Sequence, residues 1–63
     1  MNKLKELRIA SKLTQKQLAE LAGVNYQMLQ RYEQGTRDLK KASFETCLKL
    51  AQALGVNIMD LFV

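Results

Sequence analysis

Three glycines punctuate the chain, and each closes a stretch whose apolar residues recur with helical spacing. Gly23 follows Gln15 to Ala22, with Leu18, Ala19 and Ala22 on one face. Gly35 follows Tyr26 to Gln34, and Gly55 follows a stretch ending at Leu54 that turns Cys47, Leu50, Ala51 and Leu54 to one side. Glycine just past the last periodic residue suits the left-handed backbone of a helix C-cap, because it has no Cβ to clash there. Start signals match these stops. Thr14 has Gln17 three positions on, the pattern of a capping box, and Asn25 and Ser43 are good N-cap residues. The tightest constraint lies between the first two of these helices, where Ala22-Gly23-Val24-Asn25 must end one helix and begin the next.

The remaining segments fit around this pair. A first helix is expected from about Asn2 to Ser11, with Leu4, Leu7 and Ser11 at i, i+3 and i+7 and with Lys3, Lys5 and Glu6 facing water. Thr36 to Ala42 is polar and basic around the single apolar Leu39, and reads as a connecting loop with room for one helical turn beginning at Asp38. Asn57 is placed to cap a last short helix from Ile58 to Phe62. The expectation is therefore an all-α fold of five helices in a single domain over residues 1–63. Absent proline and abundant Leu, Ala, Lys, Gln and Glu agree with it. A hydrophobic fraction of 48% is enough for one core and argues against disorder.

Several function classes are excluded. With no histidine and one cysteine, a structural zinc site and a histidine-based catalytic constellation are ruled out, and no cofactor motif is present. No nucleophile–base pair or phosphate-binding glycine loop argues for an enzyme. Cys47 reads as a buried, inert thiol rather than a redox sensor. The apolar stretches are too short to span a bilayer, so no membrane is implied, and the cytoplasm is the expected compartment. Net charge +4 and a pI near 9.5 fit a polyanionic partner without assigning one.

The segment Thr14 to Gly35, TQKQLAELAGVNYQMLQRYEQG, carries the functional reading. So tight a turn makes its two helices cross steeply. Ala19 and Ala22 let the backbones approach, and Val24 and Leu29 fill the angle between them. This is helix-turn-helix geometry, in which the second helix projects from the surface and fits the DNA major groove.

The run Leu13-Thr14-Gln15-x-Gln17-Leu18-Ala19-x-x-Ala22-Gly23-Val24, then Tyr32-Glu33-x-Gly35, resembles the phage repressor/Cro-type (Xre-like) helix-turn-helix family. So does Leu48-Lys49-Leu50-Ala51-Gln52-Ala53-Leu54-Gly55-Val56. The resemblance extends from about Leu4 to Phe62 and implies a five-helix, lambda-repressor-like domain that binds operator DNA as a homodimer. One segment departs from the pattern. Between Gly35 and Ser43 the family often has a shorter connection with a proline before the serine, whereas this chain has seven residues and no proline.

Matching the motif makes Asn25, Tyr26, Gln27, Gln30 and Arg31 the candidate base readers. Glutamine can pair bidentately with adenine and arginine with guanine, and Tyr26 can touch a thymine methyl or a phosphate. Gln15 and Lys16 open the second helix, whose amides and positive dipole end suit a phosphate oxygen. The resemblance gives Gln15 a further role, bracing a side chain of the recognition helix. Gln34, Thr36, Arg37, Lys40 and Lys41 are candidates for the neighbouring phosphates. The resemblance also implies that Arg8 pairs with Glu33 and fixes the third helix against the scaffold. Part of the C-terminal cluster Ile58, Met59, Leu61, Phe62 and Val63 should close the core, and the rest, Phe62 and Val63 first, is placed for a dimer patch. The reading that follows is a transcriptional regulator, a homodimeric repressor on a palindromic operator, with no small-molecule effector evident. The rival is an antitoxin or protein-docking module that uses the same fold, with DNA binding secondary.

Overall fold

The computed structural model describes residues 3–62. Its elements in order are α1 (Lys3–Ala10), α2 (Gln15–Ala22), α3 (Tyr26–Gln34), a 3₁₀ turn (Leu39–Lys41), α4 (Phe44–Leu54) and a C-terminal 3₁₀ helix (Ile58–Phe62). The expectation of five α-helices is thus corrected to four among the described residues. Ile58–Phe62 has only 5 residues, too few for a sustained i→i+4 ladder, so it closes with i→i+3 bonds such as Asp60 N–H to the Asn57 carbonyl at 2.9 Å. Asn57 does cap it: its side chain accepts from the Met59 amide at 3.1 Å, while Asp60 accepts from the Asn57 amide at 3.1 Å.

The sequence signals for helix starts are used locally. The Thr14 hydroxyl accepts from the Gln17 amide at 3.1 Å and the Gln17 side chain accepts from the Thr14 amide at 2.9 Å, a complete capping box. Asn25 and Ser43 accept from the Met28 and Thr46 amides at 3.2 and 3.1 Å. At Gly23 the backbone is left-handed, with φ 70°, and the Val24 amide reaches back to the Ala19 carbonyl at 3.0 Å. That wraps the end of α2 in a Schellman motif and turns the chain directly into α3.

α1 ends in the same way without a glycine. The Ser11 amide still donates to the Leu7 carbonyl at 3.1 Å, but α1 is bounded at Ala10 and Ser11 lies in the turn beyond it, exposed rather than on the inner face. Lys12 occupies the left-handed position at φ 60°, its amide donates to the Ile9 carbonyl at 2.9 Å, and the Leu13 amide donates to the Arg8 carbonyl at 3.2 Å. A side chain costs about 1–2 kcal/mol in that backbone region. Glycine removes the clash but loses more chain entropy on folding, about 0.5–1 kcal/mol. Lys12→Gly is expected to stabilise the domain by up to about 1 kcal/mol, a rise of roughly 4–8 °C in Tm at the upper end. Thermal unfolding by circular dichroism checks this, and a fall in Tm would contradict it.

The core is built from Leu4, Leu18, Ala19, Ala22, Leu29, Tyr32, Cys47, Leu50, Ala51, Leu54 and Leu61. α2 packs on both α3 and α4, while the C-terminal 3₁₀ helix lies against α4 and α1. The long connection after Gly35 is pinned to this core. Asp38 caps its 3₁₀ turn through the Lys40 amide at 2.9 Å, and half-buried Leu39 packs on the core. The Cys47 thiol donates to the Leu39 carbonyl at 3.7 Å. Burial raises the pKa of that thiol above its ordinary value, which disfavours the reactive thiolate.

Candidate nucleic-acid interface

α3 has two unlike faces. Leu29, Tyr32 and Glu33 are buried and Met28 is half-buried. Tyr26, Gln27, Arg31 and Gln34 are exposed and Gln30 is partly so, forming a stripe at i, i+1, i+4, i+5 and i+8 that turns away from the core. The exposed face is polar and carries one cation, Arg31, whereas the inner face is apolar apart from Glu33.

Glu33 is the joint that sets how this helix sits. Its side chain is 2% exposed and that of Arg8 12%. Arg8 Nε donates to Glu33 Oε2 at 2.8 Å and Arg8 Nη2 to Oε1 at 3.1 Å, a bidentate pair. Arg8 Nη1 donates to the Leu13 carbonyl at 2.8 Å, so the same guanidinium also holds the segment that leads into α2. Gln15 Nε2 adds a third bond to Glu33, on Oε1 at 3.1 Å. One carboxylate therefore binds α1, the first residue of α2 and the end of α3 together. Among the described residues no buried side-chain nitrogen or oxygen lacks a hydrogen-bond partner.

The candidates on α3 and at its cap fall into three groups. Asn25 is exposed, and its Oδ1 accepts from the Met28 amide in the cap of α3, so its side-chain N–H groups take no part in that bond. Tyr26 and Gln30 are joined: Gln30 Nε2 donates to the Tyr26 hydroxyl oxygen at 3.1 Å. Gln27, Arg31 and Gln34 stand exposed on the same helix. Beside α3, Lys16 and Tyr26 line a shallow cleft between α2 and α3 with Ala19, Glu20 and Val24.

Past Gly35, Arg37 lies over the Tyr32 ring, 5.7 Å from its centroid, and Thr36 donates to the Arg31 carbonyl at 3.3 Å. Lys40 and Lys41 are exposed on the 3₁₀ turn that follows. The cation–π contact was not visible in the sequence, because Tyr32 and Arg37 are brought together only when the chain reverses at Gly35. Exposed apolar residues are a second feature that periodicity left unread: Ile9 (57%), Leu21 (64%), Phe44 (70%) and Met59 (65%) all face solvent. Phe62 is at the exposed margin, and Val63 lies outside the described residues.

Comparisons with known proteins agree with this geometry. A family model described as helix-turn-helix matches residues 4–61. The chain is 39% identical over 62 residues to an uncharacterized HTH-type transcriptional regulator of Methanocaldococcus jannaschii, covering 98% of this chain and 89% of that protein. In structure it is similar to the restriction-modification controller protein C.AhdI from Aeromonas hydrophila. The TM-score there is 0.85 and the identity 38%, with 95% of this chain and 86% of that one covered.

Proposed function

Because the chain belongs to this helix-turn-helix family, we propose that it binds double-stranded DNA sequence-specifically through α3 and regulates transcription as a homodimeric repressor. The observation that carries the reading is the outward stripe Tyr26, Gln27, Gln30, Arg31 and Gln34 on a helix locked to two others by Glu33. A groove-reading helix needs side chains that can pair with base edges and a scaffold that fixes their register. Gln27, Gln30 and Arg31 supply the first, and the Arg8–Glu33–Gln15 joint supplies the second. The names of the two similar proteins, a transcriptional regulator and a restriction-modification controller, support the same reading.

Residues 1–63 act as one DNA-binding unit in this proposal. Control of transcription in this proposal comes from occupying an operator. A two-fold dimer reads two half-sites about 34 Å apart. The domain is 24 × 23 × 23 Å, so that spacing requires each α3 to lie toward the side away from the partner. Exposed Met59 and Phe62 of the C-terminal 3₁₀ helix are the proposed dimer contact.

Lys16, Arg37, Lys40 and Lys41 are the proposed phosphate contacts, together with Gln15, Gln34 and Thr36. Each cation neutralising one phosphate contributes about 0.9 to the slope of log affinity against log salt. Lys16→Ala is expected to lower that slope by about one and leave the preferred sequence unchanged, as measured by fluorescence anisotropy at several salt concentrations. A changed consensus would contradict the phosphate role. Selection from random duplexes tests the function as a whole: a palindromic consensus is expected, and recovery of no consensus would overturn the reading.

A further inference from the structure

Tyr26 and Gln30 are both exposed enough to meet a ligand, yet they are bonded to each other. A glutamine amide offers two N–H donors and one oxygen acceptor. Here one N–H is donated to the Tyr26 hydroxyl oxygen at 3.1 Å, which leaves Oε1 and the second N–H free of that contact. Those two groups are complementary to the major-groove edge of adenine, which presents the N6 amino donor and the N7 acceptor. Were the amide turned over, it would present two N–H donors outward, a pattern that suits the paired acceptors of guanine instead.

The phenol is itself steadied. Its backbone is the first residue of α3, immediately after the Asn25 cap, and its side chain lines the cleft between α2 and α3 beside Lys16 and Val24. The hydroxyl stands one helical turn before Gln30, at the i, i+4 spacing at which helix side chains meet.

We propose that Tyr26 is a positioning residue whose hydroxyl anchors the Gln30 amide, here by accepting from Nε2 so that Oε1 and the second N–H are left to pair with an adenine. This rests on the reading of α3 as the groove helix. It goes beyond that reading in making the specificity of one base pair depend on a hydroxyl that need not touch the base. An exposed i, i+4 pair favours its bonded form by a factor of about two, so the coupling is modest and measurable.

The test is a four-protein comparison of the wild type, Tyr26→Phe, Gln30→Ala and the double variant. Each competes for the selected duplex and for duplexes changed at one position at a time, with folding followed by circular dichroism. Gln30→Ala should relax the preference for adenine at one position per half-site by about fivefold or more. Tyr26→Phe should relax that same position by about twofold, leave the others intact, and have no effect on it in the Gln30→Ala background. The proposal is overturned if Tyr26→Phe leaves that position unchanged, weakens all duplexes equally, or acts as strongly without Gln30. A preferred base other than adenine at that position overturns it too. If Gln30→Ala relaxes no position, the assignment of Gln30 as a base reader fails, and the coupling with it. Failure of the wild type to select any duplex removes the DNA reading itself.

Discussion

Glu33→Ala is expected to remove about 3–5 kcal/mol of folding stability, the usual cost of leaving one member of a buried ion pair without its partner. The Arg8 guanidinium would keep only its bond to the Leu13 carbonyl, and the Gln15 amide would lose its acceptor. Marginal stability of roughly 0.05–0.15 kcal/mol per residue gives a chain of 63 residues about 3–9 kcal/mol in total. The variant should therefore lose at least about a third of its folding stability. Urea unfolding measures the loss, and a change below about 1 kcal/mol would mean that the carboxylate does not join the three helices as described. Replacing both charges with apolar residues, Arg8→Met with Glu33→Leu, should restore much of the stability, since the unpaired charge is what is costly. That rescue separates the ion pair from general damage to α3.

The second large effect falls on binding rather than folding. Gln27 and Arg31 are exposed, and neither side chain is needed by the core. Replacing both with alanine should change stability by no more than about 0.5 kcal/mol. If each makes a bidentate base contact worth about 1–3 kcal/mol, affinity for the selected duplex should fall at least about thirtyfold. Weak, salt-sensitive binding to unrelated duplexes should persist through the lysines. Equal loss on all duplexes would instead make these residues phosphate contacts, and unchanged binding would remove α3 from the groove.

Much of the architecture was legible because helix ends are written in single residues. Thr14, Asn25 and Ser43 start helices and Gly23, Gly35 and Gly55 stop them, each through a local hydrogen bond that needs no tertiary context. Where the signal is not local, it was missed. Nothing about Lys12 announces a left-handed backbone, because the position is imposed by the bonds that Lys12 and Leu13 send back to α1. The last helix had a correct cap and correct bounds, but periodicity over 5 residues does not distinguish a 3₁₀ ladder from an α-helical one. The connection after Gly35 departs from the family pattern in length and in lacking proline. Even so, the Asp38 cap and the apolar anchor Leu39 were readable.

The candidate interface was legible in part. The match to the motif named Tyr26, Gln27, Gln30 and Arg31 together, and in the structure they lie on a face of α3 apart from buried Leu29 and Tyr32. The resemblance implied an Arg8–Glu33 pair and, separately, a bracing role for Gln15 toward an unspecified side chain of the third helix; in the structure Arg8 and Gln15 each bond to Glu33, at 2.8–3.1 Å. The Tyr26–Gln30 bond had the right spacing to be noticed, but side-chain pairing depends on rotamers that a sequence does not display. Exposure of Leu21 and Phe44 was hidden for a related reason. Each stands next to residues of the inner face, and which side of the stripe it falls on depends on how the helices cross.

The central claim is that α3 enters the major groove. Amide and side-chain chemical shifts followed during titration of the full chain with its selected duplex test it most directly. The largest changes should fall on Gln27, Gln30 and Arg31, with a second group at Gln15 and Lys16. Changes concentrated instead around Leu21 and Phe44, with α3 silent, would contradict the account.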